Sequence, residues 1–134
     1  MVKSNIKTSN LINYKKSILI YNILRDLGLI PTLKGTKFLN KAIQIVLNSN
    51  NEFIVLEDVY KEIVLNHTNF NSIQVRNAIK YAIDNRDEKK AIANFEKIFG
   101  YKYDKYYFTN KIIIEEIARV IIDKYKYVKH STIL

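Results

Sequence analysis

The chain has 134 residues, a length that supports one domain with a buried core and leaves little room for a second. It has no cysteine, which excludes a disulfide framework and thiolate chemistry. Its formal charge of +9 attracts polyanions, so nucleic acid and an anionic membrane surface are both candidate partners, although a Lys- and Asn-rich composition also follows from an AT-rich genome. No apolar run is long enough to span a membrane and none resembles a signal peptide, so we expect a cytoplasmic protein without membrane contact.

Glycine and proline are sparse, and the apolar residues recur mainly at helical spacing. Three glycines and one proline allow few turns, which favours helices over a many-stranded sheet. The fold class predicted from this pattern is all-α. We expect a flexible basic N-terminal tail (1–13), a single helical domain (14–128) and a C-terminal tail (129–134). The predicted helices cover about residues 14–27, 36–48, 56–65, 73–85 and 91–99, with a sixth opened by Thr109 and Asn110.

The first two predicted helices are separated by a connector with clear stop and start signals. Gly28 stands where a left-handed residue ends a helix, and Pro31 blocks helix continuation. The next helix starts within 34–37, which gathers free backbone N–H groups, the Thr36 hydroxyl and the ammonium groups of Lys34 and Lys37. Such a helix start can bind a phosphate group, although many ordinary helix starts look the same.

Residues 56–84 form two short amphipathic segments around the polar turn 66–72, a pattern that indicates a helix-turn-helix. In the second segment the apolar residues share one face, and Gln74, Arg76 and Asn77 lie on the other. Arg pairs with guanine in the major groove, and Asn or Gln pairs with adenine. The alternative is that the two helices serve only as packing elements, because any surface helix carries polar residues.

The acidic residues near this motif fall on its first helix, which carries Glu57, Asp58 and Glu62. We therefore expect that helix to stay away from phosphates. The segment 101–108 alternates aromatic and charged residues, and it suits a short strand or an irregular loop that packs its rings on the domain. Its rings could also stack on unpaired bases.

Catalytic and metal-binding patterns are lacking in the sequence. His67 and His130 have no carboxylate or second histidine at metal-ligand spacing, and the pairs Glu57-Asp58 and Glu115-Glu116 point about 100° apart on a helix. The three glycines are too far apart for a phosphate-binding loop. We expect no enzymatic activity, no catalytic residue, no metal site and no cofactor.

Several segments, taken in order, carry a family resemblance. The run 24–43 is similar to the pattern L-x-x-I-G-V-P-x-x-I-K-G-Y-x-Y-L-x-x-A-I, and 59–63 is similar to L-Y-P-D-I. The run 75–83 is similar to V-E-R-A-I-R-H-A-I, and 99–101 and 109–110 also find counterparts. These patterns are those of the C-terminal DNA-binding domain of stage 0 sporulation protein A, the sporulation response regulator, which the chain resembles from about residue 15 to about residue 125.

The resemblance implies a six-helix domain that binds double-stranded DNA and controls transcription. Copies of the domain would bind DNA in tandem or as a homodimer. In the family a phosphoacceptor receiver domain precedes this one, whereas here a short Lys-rich tail does, so we expect no built-in phosphorylation switch.

The resemblance also implies which residues meet the DNA. The family's base-reading segment R-V-E-R corresponds to Gln74, Val75, Arg76 and Asn77, so three of its four residues differ here. One bidentate contact contributes about 1–3 kcal/mol of discrimination, and we therefore expect a different preferred site. Lys80 and Tyr81 stand where the family has Arg and His and would reach phosphates, together with Lys34 and Thr36.

The leading hypothesis is a sequence-specific DNA-binding regulator in which Gln74, Arg76 and Asn77 read bases, and Lys34, Thr36, Lys80 and Tyr81 hold the backbone. The alternative is a protein-interaction module or antagonist that keeps the fold, pairs with a full-length regulator and does not read DNA.

Overall fold

The structure is a computed structural model that describes the backbone of residues 2–49, 53–67 and 69–124 and, within these ranges, the side chains from Tyr14 onward. The described residues form six α-helices and one 3₁₀ turn and contain no strand, which confirms the all-α class. The elements in chain order are α1 (Val2–Asp26), α2 (Lys34–Asn48), α3 (Leu56–Leu65), α4 (Ser72–Asp84), α5 (Glu88–Phe99), the 3₁₀ turn (Lys105–Tyr107) and α6 (Asn110–Lys124).

The observed bounds differ most from the predicted ones at the start of the chain. α1 begins at Val2 rather than near Tyr14, so the segment predicted as a flexible tail is helical, and its mobility stays a prediction. α2 begins at Lys34, two residues before the predicted start, and α3 has the predicted bounds. The predicted C-terminal tail, 129–134, and His130 within it lie outside the described residues, so the division into one domain and two tails also stays a prediction.

Two glycines end helices in the left-handed conformation. Gly28 follows α1 with φ 89°, and Gly100 follows α5 with φ 82°. Residues with a Cβ rarely adopt this conformation, and glycine adopts it without steric cost. Gly28 also accepts a hydrogen bond of 2.8 Å from the backbone N–H of Asp87, which connects the end of α1 to the start of α5.

α2 lies at the centre of the domain and packs against α1, α3, α4 and α6. Its apolar residues recur every three or four positions and turn inward, because only one side of the helix carries them. Burial of one Leu or Ile side chain stabilises the folded state by about 1.5–3 kcal/mol, so this helix anchors the core. Four of its fully buried residues are Leu39, Ala42, Ile43 and Leu47.

A close approach between helices brings the start of α2 onto the middle of α4. A Cβ added to Gly35 would lie 1.8 Å from the carbonyl oxygen of Ala78 and 2.8 Å from the Cβ of Ala82. No side chain fits there, so glycine is required by the distance between the two helices. This contact sets how far α4 stands out from the core.

The tyrosine-rich segment 101–108 contains a 3₁₀ turn and no strand, so its rings pack from an irregular segment. Tyr103 and Tyr107 meet the buried ring of Phe95 nearly edge-on, with centroid distances of 5.3 and 5.0 Å, and Phe108 lies 6.0 Å from it. These rings therefore pack on the domain, as one of the sequence-based expectations for this segment has it. Tyr101 and Tyr106 of the same segment are exposed.

Candidate nucleic-acid interface

α3 and α4 pack against each other and are joined by a turn that is anchored on α2. Within the turn, Phe70 donates its backbone N–H to the carbonyl of His67 at 3.1 Å. The rings of His67 and Phe70 both meet Phe38 of α2 edge-on, at 5.4 and 5.2 Å between centroids. Such aromatic pairs contribute about 0.5–1.5 kcal/mol beyond the area they bury. The arrangement of α3, the turn and α4 is consistent with the predicted helix-turn-helix.

α4 begins with a reciprocal capping box. The backbone N–H of Gln74 donates to Oδ1 of Asn71 at 2.8 Å, and the backbone N–H of Asn71 donates to Oε1 of Gln74 at 2.9 Å. This arrangement satisfies two backbone donors that the helix start would otherwise leave free. It also directs the oxygen of Gln74 toward the backbone of the helix start, while the amide nitrogen has donors for a further partner.

The two sides of α4 differ sharply in chemistry. One side is buried and apolar, and it holds the helix against α2 and α3. The opposite side is exposed and mainly polar, and it includes all three residues predicted to read bases. Val75, Ile79, Ala82 and Ile83 form the buried side, and Ile73, Gln74, Arg76, Asn77, Lys80, Tyr81 and Asp84 are exposed.

The first half of α4, which carries Arg76 and Asn77, is tied to the rest of the domain through one side-chain amide. The Asn110 amide donates to the backbone carbonyl of Arg76 at 3.1 Å and to the hydroxyl of Tyr60 at 3.0 Å. Burial raises the pKa of Tyr60, and the Asn110 hydrogen bond and the nearby Arg76 cation offset part of that effect. The backbone under Arg76 is thus positioned by α3 and α6, while its side chain is exposed.

The second half of α4 presents Lys80 and Tyr81 to solvent. Lys80 pairs with Asp84 one turn later at 3.0 Å, with both side chains more than half exposed. Exposed pairs of this kind contribute only about 0.3–0.5 kcal/mol, so a phosphate can compete for the ammonium group. Tyr81 is 59% exposed.

The end of α4 is secured by Arg86, whose side chain is 10% exposed. The guanidinium lies 3.7 Å from the Phe108 ring centroid, pairs with Glu88 at 2.9 Å and donates to the carbonyl of Ile83 at 2.9 Å. The same Glu88 accepts a hydrogen bond from the hydroxyl of Tyr103. These contacts give Arg86 a structural role in holding the last turn of α4.

Lys34 lies beside the turn that leads into α4. Its ammonium nitrogen is 4.9 Å from the centroid of the Phe70 ring, and Phe70 immediately precedes the capping residue Asn71. The structure therefore brings Lys34 close to the start of α4, although the two are more than thirty residues apart in sequence. A groove of roughly 270 Å³ continues from this point along α2, with Lys37 and Lys41 among its lining residues. Lys37 belongs to the helix start that the sequence indicated as a possible phosphate site, whereas Lys41 had no predicted role.

Thr36 is buried, whereas Lys34 is exposed. The predicted contact of Thr36 with a DNA phosphate therefore needs correction. The residue is 1% exposed, because the start of α2 is pressed into the domain where Gly35 meets Ala78. Its hydroxyl oxygen is buried and has no hydrogen-bond partner among the described residues. A phosphate oxygen cannot reach it, so Thr36 is left out of the interface proposed below.

The exposed side of α3 is acidic, in agreement with its predicted distance from phosphates. Glu57, Asp58 and Glu62 are all exposed, and Glu57 accepts a hydrogen bond of 2.9 Å from the hydroxyl of Ser72 at the start of α4. α4 carries the positive charges of Arg76 and Lys80, and Lys34 of α2 adds another beside the turn, whereas Lys61 is the one positive residue of α3 and leaves its net charge negative. The negative charge of α3 disfavours contact between that helix and an anionic group.

Ile73 is an exposed residue of this surface that sequence reasoning left without a role. It is 57% exposed in the first turn of α4, and its position relative to Asn77 and Lys80 places it on the polar side. The signal in the sequence was its break with the apolar period, since it is the one large aliphatic residue of α4 that does not fall on the buried side.

The described part of the chain contains neither a metal-binding cluster nor a membrane-spanning helix. No group of three or more His, Cys, Asp or Glu side chains there could hold a metal ion. No described helix combines the length and apolar character that a membrane crossing needs.

Comparison with known proteins confirms the resemblance seen in the sequence. The model of the family described as "Sporulation initiation factor Spo0A C terminal" matches residues 20–121, a range that contains α2 to α5, the C-terminal end of α1 and most of α6. No curated protein and no solved structure matches the chain. The family is a DNA-binding domain family and not a class of enzymes. The chain belongs to this family, that of the DNA-binding effector domain of a sporulation regulator.

Proposed function

We propose that this protein binds double-stranded DNA sequence-specifically and regulates transcription, with α4 as the helix that enters the major groove. The observation that carries the proposal is the exposed polar side of α4, whose first half presents Arg76 and Asn77 together. A recognition helix contacts base edges mainly with its N-terminal residues. The family assignment and the formal charge of +9 support the same conclusion.

The three base-reading residues have different tasks in this proposal. Arg76 carries two parallel N–H donors that match O6 and N7 of guanine, and Asn77 matches N6 and N7 of adenine. Gln74 contributes less discrimination, because its oxygen is held in the capping box and its amide nitrogen alone can donate to a base acceptor.

Lys34, Lys80 and Tyr81 contact the phosphate backbone in this proposal. Lys34 stands next to the start of α4 and the other two lie on its second half, so they bracket the base-reading residues along the helix. Contacts to phosphates set the register of the protein on the duplex and add affinity that depends on salt.

The test is a selection of binding sites from random duplexes, followed by binding measurements at fixed salt with Arg76→Ala and Asn77→Ala. Each variant should lose affinity for the selected duplex and relax the preference at one base pair. Lys61→Ala, which removes an exposed charge from α3, is the matched control and should keep the preference. Unchanged affinity and preference in both α4 variants would refute the assignment of the base-reading residues.

A second pair of variants isolates the role of Gln74. Gln74→Glu keeps a side-chain oxygen for the capping box and removes the amide donor, whereas Gln74→Ala removes both. We expect Gln74→Glu to fold as well as the wild type and to bind DNA more weakly.

If no duplex is enriched in the site selection and the protein instead forms a stable complex with a protein partner, the protein is an interaction module and the proposal fails.

A further inference from the structure

Ile73 is an aliphatic residue that lies outside the buried core. Its side chain is 57% exposed and it belongs to the first turn of α4, where the neighbouring exposed residues are polar. A single exposed aliphatic residue is common on protein surfaces and needs no explanation by itself. Its position here is unusual because it lies on the side that the proposed function turns toward DNA.

The helix geometry brings Ile73 next to the residues that read bases. Asn77 follows it by four positions and Arg76 by three, and residues at these spacings are neighbours on a helix surface with Cβ atoms about 5–6 Å apart. All three are exposed. When the first half of α4 enters the major groove, Ile73 therefore meets a base edge close to the one that Asn77 meets.

The major-groove edges of the bases carry one apolar group, the C5 methyl of thymine. An isoleucine side chain has no hydrogen-bond donor or acceptor and would leave the polar edges of the other bases unpaired. We propose that Ile73 is a specificity-determining residue that contacts a thymine methyl, so that the preferred site carries an A·T pair next to the base pair contacted by Asn77. This inference rests on the proposed function.

The experiment replaces the thymines of the selected duplex one at a time by deoxyuridine, which removes only the methyl group. Removal of one buried methyl corresponds to about 0.8 kcal/mol, which is about a fourfold loss of affinity. We expect this loss at one thymine with the wild-type protein and none at that thymine with Ile73→Ala. Ile73→Val should retain part of the dependence, since it keeps two methyl groups.

The control is Ile92→Ala, which truncates an isoleucine of α5 that is 52% exposed and lies outside α4. It should show the same thymine dependence as the wild type. A wild-type protein that binds its duplex equally well with every deoxyuridine substitution would overturn the inference and leave the proposed function intact. The inference would also be overturned if removal of that thymine methyl lowered the affinity of Ile73→Ala as much as that of the wild type. If no duplex is enriched at all, the proposed function itself fails and this inference fails with it.

Discussion

The two sides of α4 have opposite relations to the rest of the molecule. The buried side packs closely on α2 and α3. At position 35 of α2 the distance to α4 leaves room only for glycine. The exposed side has few partners within the domain, apart from the capping box and the exposed pair of Lys80 and Asp84. A substitution on the buried side therefore changes the stability of the domain, whereas one on the exposed side changes what the domain binds. The difference teaches that α4 can acquire a new DNA preference without losing its place in the fold, and four experiments test that separation.

The largest expected effect is a loss of stability in Gly35→Ala. The new Cβ would meet the backbone of Ala78 at 1.8 Å, so α2 and α4 must separate. Overpacking typically costs about 1–3 kcal/mol and occasionally more, and we expect the upper end because the obstacle is backbone. Chemical denaturation measures the change, and Ala78→Gly should not rescue it. A Gly35→Ala protein as stable as the wild type would contradict the observed helix contact.

The next largest effect is on affinity, in Arg76→Ala. We expect a loss of about 1–3 kcal/mol in binding to the preferred duplex, because a bidentate contact to guanine is removed. The melting temperature should stay within the error of the measurement, since the Arg76 side chain is exposed and only its backbone carbonyl is bonded to Asn110. A clear drop in stability would show that the two sides of α4 are not separable at this residue.

A smaller effect on stability is expected from Asn71→Ala, which removes the capping oxygen at the start of α4. Loss of such a cap costs about 1 kcal/mol, which corresponds to a fall in melting temperature of about 4 °C for a domain of this size. Asn71→Ser should keep most of the stability, because serine is also a good capping residue. Equal melting temperatures for the two variants would argue against the cap.

The smallest effect is expected from Lys80→Ala. Stability should change by less than about 0.5 kcal/mol, because the pair with Asp84 is exposed. Affinity should fall by the same factor for all duplexes, and the slope of log affinity against log salt should decrease by about 0.9 if one phosphate contact is lost. Lys61→Ala on α3 should leave the slope unchanged. A sequence-dependent effect of Lys80→Ala would make Lys80 a base-reading residue.

The sequence predicted much of the fold because its local signals agree with the tertiary structure. Helical spacing of apolar residues marked the segments, and the glycines at 28 and 100 marked two helix ends. The start of α1 was missed because residues 2–13 carry few large apolar groups, so their periodicity is weak. The order of short patterns also predicted the family, which needs only sequence to be recognised.

Residue type by itself determined that Arg76 and Asn77 carry the hydrogen-bonding groups that suit base edges and that the exposed side of α3 is acidic. Only the tertiary structure decided which polar groups are available to a partner. Thr36 looked like a phosphate ligand, but the contact between α2 and α4 buries it. Gln74 looked like a reader of adenine, but the turn places Asn71 where it occupies the glutamine oxygen. Ile73 had no predicted role, and the structure shows that it is exposed on the polar side of α4. Whether a side chain is available to a partner depends on contacts between segments distant in sequence and on the geometry of the helix start. The spacing of residues along one helix does not contain that information.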